Sequence, residues 1–295
     1  MTLEAWLLLA LLAAPAAAFA QAPPDPAPAK QPAPPLFPKH RRGLYRNAQG
    51  IEVIDATPQS PPLDTDDPGT PDKGEFEFNF TTHLDGTHES RHYELVSVDA
   101  NYGVLPMVFG HKLPTQLKFE FPVSAVGAPG EEFAAGVGEA EFGVKMNFYR
   151  DEHRGIAVAL YPQVGFAPSS SGVEKGLADA GQTLILPLLV GKEFHAFSFV
   201  ANVAIEHPLH DAERDIAYPY GVGFGRALTR KVAGMIELRG ESSHQFHDVG
   251  VVYLNGGIIH GVRNIITYAN IGHSLYSPDD LGHTYAGFGV KLLLE

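Results

Sequence analysis

Residues 116–123, QLKFEFPV, change character one residue at a time. Leu117, Phe119, Phe121 and Val123 fall on one side, and Gln116, Lys118 and Glu120 on the other. Successive side chains of an extended chain point to opposite faces, whereas an amphipathic helix repeats its apolar positions every third or fourth residue. A two-residue period therefore fixes a strand with one oily face and one wet face.

The period recurs along the chain. In 74–80 it sets Phe76, Phe78 and Phe80 against Glu75, Glu77 and Asn79. In 138–149 it sets Ala140, Phe142, Val144, Met146 and Phe148 against Glu139, Glu141, Lys145 and Asn147. Residues 196–207 place Phe197, Phe199, Ala201, Val203 and Ile205 opposite Ser198, Asn202 and Glu206. Residues 232–241 place Val232, Ile236 and Leu238 opposite Glu237, Arg239 and Glu241. The last segment, 283–294, aligns Ala286, Phe288, Val290, Leu292 and Leu294, with Lys291 on the wet side. Less regular strands are expected at 93–102, 156–166, 183–192, 217–228, 249–258 and 263–273, giving twelve in all. LDGTHES, RDEHRG, LTRK and SPDDLG separate neighbours as hairpin turns, and 165–183 is a longer loop.

Alternation alone leaves two architectures. A β-sandwich buries its oily faces against each other, while an outer-membrane barrel turns them to lipid and keeps a polar lumen. Four features favour the barrel: segments of about ten residues, the spanning length of a tilted strand; wet faces carrying both charge signs; glycines at 143, 221, 223, 225 and 287 on the wet side, where a curved sheet is crowded; and an even strand count behind a signal peptide. In lipid an open sheet edge is not tolerable, so the sheet must close. The expected fold is all-β: a single closed antiparallel transmembrane barrel.

Ala5 to Ala20 is an apolar run ending in Ala18-Phe19-Ala20, a secretory h-region with a small-x-small cleavage site, although no Lys or Arg precedes it. Cleavage is expected near Ala20. Residues 21–72 then form a Pro-rich periplasmic linker and pre-barrel segment, whose composition builds no core and favours extended polyproline-like chain. The barrel is expected over 73–295. Asp64, Asp66 and Asp67 read as an Asp-rich turn before the first strand, insertion into the lumen being an alternative without support. A formal charge of -13 argues against a nucleic-acid partner, and the absence of cysteine excludes disulfides and thiolate chemistry.

Several stretches resemble the phenol-degradation meta-pathway (MetA-like) family of outer-membrane β-barrels. They are Thr65-Asp66-Asp67-Pro68, where Asp67 replaces a basic residue; Asn101-Tyr102-Gly103 with Lys118-Phe119-Glu120-Phe121-Pro122; Gly136 to Phe148; and Tyr161 to Pro168. The resemblance spans Leu63 to Glu295 and implies an outer-membrane location and passage of small, often aromatic, compounds. It brings no catalytic residues. The chain departs from many such barrels in ending Leu294-Glu295 rather than on an aromatic residue.

Fourteen histidines raise a metal question. His83, His88 and His92 flank one turn, His207 and His210 another, and His244 and His247 a third, yet none has a helical or ligand-loop context, so no metal or cofactor is expected. Ser242 and Ser243 beside His244, or His260 with Ser274 across strands, are the pairs a hydrolase would use. No GxSxG, phosphate loop, EF-hand or HExxH accompanies them, and the protein is not expected to be an enzyme.

The lumen-facing candidates are Glu75, Glu77, Lys118, Glu120, Glu139, Glu141, Lys145, Glu206, Glu237, Arg239 and Lys291. The lipid-facing candidates are Phe76, Phe78, Phe80, Phe119, Phe121, Phe142, Val144, Phe148, Phe197, Phe199, Ile236, Leu238, Phe288 and Leu292. Expected partners are outer-membrane lipid, the barrel-assembly machinery and a small-molecule solute. The expected function is passive passage of that solute. The alternatives are a closed structural or binding barrel, a soluble periplasmic β protein and an outer-membrane hydrolase.

Overall fold

A computed structural model describes residues 39–41, 44–46, 52–130, 132–194, 197–209, 214–243 and 248–294. The expected signal peptide, most of the Pro-rich segment, His210, His244, His247 and Glu295 lie outside the described residues. Three short strands, Lys39–Arg41, Leu44–Arg46 and Glu52–Ile54, pair into a small antiparallel sheet of their own.

Twelve antiparallel strands form the barrel: β1 Phe76–Gly86, β2 Arg91–Val104, β3 Thr115–Gly127 and β4 Ala140–Asp151; β5 in two pieces, Ile156–Leu160 and Gln163–Phe166; β6 in two pieces, Gln182–Ile185 and Leu188–Glu193; β7 in two pieces, Ser198–Val203 and Glu206–Leu209; β8 Tyr220–Ala227, β9 Val232–Ser243, β10 Asp248–Val262, β11 Ile265–Tyr276 and β12 Thr284–Leu294. β12 pairs with β1 from Thr284↔Gly86 to Leu294↔Phe76, which closes the sheet.

Register converts the alternation into two surfaces. Phe142, Ile236 and Phe288 on the outer face are 47%, 58% and 64% exposed, while Lys145, Glu237 and Lys291 on the inner face are 2%, 1% and 3% exposed. A sandwich would show the reverse, so a buried lysine opposite an exposed phenylalanine decides for the barrel.

The twelve strands match the sequence expectation in number and place, but β5, β6 and β7 are interrupted at one level. The breaks centre on Tyr161-Pro162, Leu186-Pro187 and Ala204-Ile205, with Pro219 beside them before β8. Proline has no N–H for a ladder. Its carbonyl still serves: Tyr161 N donates to Pro187 O at 3.0 Å, Ala204 N to Pro219 O at 2.8 Å and Val144 N to Pro162 O at 2.9 Å. The sheet therefore bends without losing its neighbour contacts there. The expected long loop contains one helical turn, α1 Ser170–Glu174, capped by the Ser169 side chain.

The main departure from expectation precedes β1. Ordered structure begins well before Lys73, because residues 54–72 enter the barrel. Ile54 N donates to Arg230 O at the rim where β1 begins and β12 ends, here called the terminal rim. The chain rises to Asp64 and Thr65 at the height of Glu237, then descends past Pro68 to Asp72 and Gly74, whose N–H reaches Gly103 O at 2.9 Å. Ile54 and Leu63 join Ala233, Met235, Ile259, Ile266 and Leu293 in a buried cluster on the inner wall. One sector of the terminal half of the lumen is thus apolar and packed by the loop, while Glu77, Asn79, Asp99, Lys145 and Lys291 keep another sector polar. Burying Ile54 and Leu63 contributes roughly 1.5–3 kcal/mol each.

Candidate functional site

The inserted loop is gripped by inward side chains from all round the wall. Glu237 on β9 accepts from the Asp64 N–H at 3.1 Å and from the Thr65 N–H with one oxygen, and from Asn255 Nδ2 at 2.7 Å with the other. Lys145 on β4 donates to Asp66 Oδ1 at 2.9 Å and Asp67 O at 3.0 Å, and Asn147 Nδ2 to Pro68 O at 2.8 Å. Lys291 on β12 lies 2.7 Å from Glu77 Oε1 and donates to Gln59 Oε1 at 2.8 Å. Burial pushes the Asp66 carboxyl above the ordinary aspartate range, against the pull of Lys145.

β8 offers backbone where the other strands offer side chains. Gly221, Gly223 and Gly225 face the loop, and a β-carbon on Gly223 would stand 2.7 Å from Pro58 Cβ. One on Gly225 would overlap Ala56 O. Sequence reasoning assigned these glycines to sheet curvature; their neighbours show that they admit the loop.

Arg239 joins loop tip to wall. Its guanidinium contacts the Asp64 carboxylate and lies 4.2 and 5.1 Å from the ring centroids of Tyr253 and Tyr285. The Tyr285 hydroxyl donates to Asp64 Oδ1 at 3.1 Å and sits 3.3 Å from His83 Nε2, while His83 Nδ1 is 3.6 Å from Glu94 Oε1.

A cavity of about 460 Å³ opens at the loop tip. Ser60, Asp64, Thr65 and Asp66 form its floor, and Lys118, Glu141, Arg239, Glu241 and Tyr253 contribute a polar wall. Ile185, Pro187, Leu189, Ala204 and Pro219, from the interrupted part of the sheet between them, add an apolar surface, with Tyr161, Gln163 and Asn202 beside it. The breaks in β5–β7 thus shape the cavity as well as bend the barrel. Lys118 Nζ is 2.7 Å from Glu120 Oε2 and 2.6 Å from Glu141 Oε1.

The structure divides the lumen-facing candidates into three groups. Lys118, Glu120, Glu141, Glu237 and Arg239 gather around the cavity and the loop tip. Lys145, Lys291 and Glu77 hold the loop from the side; Glu75 stands at the terminal rim, where its Oε2 accepts from Asp72 N at 3.1 Å. Glu77, paired with Lys291 below the loop tip, is therefore away from the cavity. Glu139 and Glu206 lie at the other rim. There Arg214 is 3.6 Å from Glu206 and 3.0 Å from Asp179, and burial, then Asp179, raises the Glu139 carboxyl.

Of the outer-face candidates, Phe76, Phe80, Phe119, Phe121, Phe142, Phe197, Ile236, Leu238 and Phe288 are exposed. Phe78, Val144, Phe148, Phe199 and Leu292 are half-exposed on the same surface. His260 and Ser274 do not meet: they oppose Thr267 and Tyr253, at opposite ends of the β10–β11 ladder. Ser242 donates to Asp248 O instead. Among the described residues no group of three or more His, Asp or Glu side chains converges as a metal site. Gln59 and the three tyrosines 161, 253 and 285 were not singled out as lumen residues by sequence, and Asp64 and Asp66 were read as a turn, with insertion only an unsupported alternative; the side-chain-free run at 221, 223 and 225 was a further hint of the loop.

A closed twelve-stranded sheet with an oily exterior and an inserted N-terminal loop is the architecture of an outer-membrane β-barrel. Among solved structures, an outer membrane channel from Pseudomonas putida F1 is similar with a TM-score of 0.64, at 9% identity, over 79% of this chain and 100% of that chain. The translocator domain of the autotransporter NalP from Neisseria meningitidis gives a TM-score of 0.49 at 9% identity, over 79% of this chain and 91% of that one. At such identity the likeness concerns the fold alone. No protein-family model matches the chain, and no curated protein matches it in sequence.

Proposed function

We propose that the protein is an outer-membrane channel for small solutes, closed at mid-height by residues 54–72. The observation that carries this reading is the cavity at the loop tip. It is a partly polar chamber whose floor is held by side-chain hydrogen bonds and ion pairs, contacts that can be exchanged for water, in addition to the apolar packing of Ile54 and Leu63 lower in the loop. We take the terminal rim as the periplasmic end: its turns 152–155, 228–231 and 263–264 are short, although 105–114 is not, whereas the longest connections, 128–139 and 167–181, lie at the other rim, and periplasmic turns of such barrels are short. A solute arriving from outside would collect in the chamber and pass when the loop withdraws. The resemblance carried by Asn101 to Gly103 and Gly136 to Phe148 supports small aromatic solutes.

Conductance in planar bilayers tests the proposal. Full-length protein should show low, intermittent conductance, and a variant lacking 54–72 a larger, steady one. A deletion variant that folds as a heat-modifiable barrel yet conducts no more than the empty bilayer would instead establish a closed structural or binding barrel.

A further inference from the structure

The chamber differs from a neutral water-filled pore in its charge. Four carboxylates line it, Asp64, Asp66, Glu141 and Glu241, against two bases, Lys118 and Arg239. Both bases are already satisfied. Lys118 is held between Glu120 and Glu141, and Arg239 contacts Asp64 with Tyr253 against its face. An incoming anion would have to take a base away from its carboxylate.

A cation meets the opposite situation. Glu241 forms no ion pair among the described residues, and Asn202 Oδ1, a buried acceptor on the chamber wall, receives no hydrogen bond there. Low-dielectric walls focus the excess negative potential into the chamber. Beside Asn202, which pairs directly with Leu189, the residues Ile185, Pro187, Leu189 and Ala204 present an apolar surface with no charge of their own. A volume of about 460 Å³ is ample for one small organic molecule.

Building on the channel reading, we infer that the chamber binds small organic ammonium ions, with the ammonium toward Glu241 and the apolar body against the Pro187–Leu189 wall. Its selectivity is set by spare carboxylate and amide acceptors rather than by the basic groups. Glu241 is the specificity-determining residue, because among the described residues it is the lining carboxylate without a resident base.

The test is calorimetric titration of the full-length protein in detergent micelles with benzylammonium, benzyl alcohol and benzoate, with empty micelles as the reference. These probes share one apolar body and differ in charge. Benzylammonium should bind about tenfold more tightly than benzoate, with the alcohol between them. Glu241→Gln should remove most of that preference while the barrel stays heat-modifiable. Benzoate binding as tightly as benzylammonium, no binding of any probe, or an unchanged preference in Glu241→Gln would overturn the inference. The channel reading fails separately: ammonium binding without conductance retires the conduit and keeps the site, whereas conductance without charge preference retires the site alone.

Discussion

Glu237 shows how one side chain can set the state of a barrel. It is almost completely buried, and its two oxygens satisfy loop amides and Asn255 together. Glu237→Ala leaves the Asp64 and Thr65 N–H groups and Asn255 without that acceptor, a cost of about 1–3 kcal/mol. The cost falls on the inserted state, because the loop amides regain water when released. The expected outcome is a raised open probability in bilayers with barrel assembly intact; an unchanged open probability would count against Glu237 as an anchor. Gly223 acts by the absence of a side chain. Gly223→Val would drive a branched side chain toward Pro58, already 2.7 Å from a bare β-carbon. Hydrogen exchange at Leu63 and Thr65 should then speed up, while the β9–β10 ladder stays protected.

The elements divide sharply in how legible they were. Strands such as 140–151 and 284–294 announce themselves because inner and outer faces place opposite demands on neighbouring residues. Lys145 beside Val144, or Lys291 beside Leu292, is such a demand written in sequence. The loop at 54–72 makes no comparable pattern. Its partners, Glu237, Lys145 and Lys291, lie from roughly 80 to over 200 residues away, and Glu237 and Lys145 engage backbone amides and a carbonyl that every residue type carries, while Lys291 engages the Gln59 side chain. The same blindness affected the candidate site. Glu77 and Lys291 were recognisable as inward, but that they pair beneath an inserted segment depends on three parts of the chain at once. The proline breaks in β5 and β6 were visible only as less regular alternation, and the break in β7 at Ala204-Ile205 not at all, since 196–207 alternates cleanly.

For the whole molecule, the outer surface and the lumen respond differently to charge. Ile236→Lys places an ammonium in the apolar outer band, costing about 2–4 kcal/mol near the bilayer midplane. It should reduce the heat-modifiable fraction in membranes. Gln163→Lys, on the wall of the chamber that Glu141 and Asp66 also line, should be assembled normally. Equal loss in both variants would contradict the assignment of faces. The inward arrangement also explains how a chain of net charge -13 can bury Lys145 and Lys291: each sits within reach of a carboxylate, so the lumen contains paired charge, with surplus negative charge concentrated in the chamber.

The central claim is that residues 54–72 occupy the lumen, and the cysteine-free sequence permits a direct test. A β-carbon on Gly221 would lie 3.7 Å from Thr65 Cβ, within the range a disulfide spans. In the double variant Thr65→Cys with Gly221→Cys, oxidation of the folded, heat-modifiable protein should join the two cysteines within one chain. The link should be detected by mass spectrometry of the digested protein, and it should hold conductance at its closed level until reductant is added. Free thiols at both positions after oxidation of the folded barrel would contradict the inserted loop.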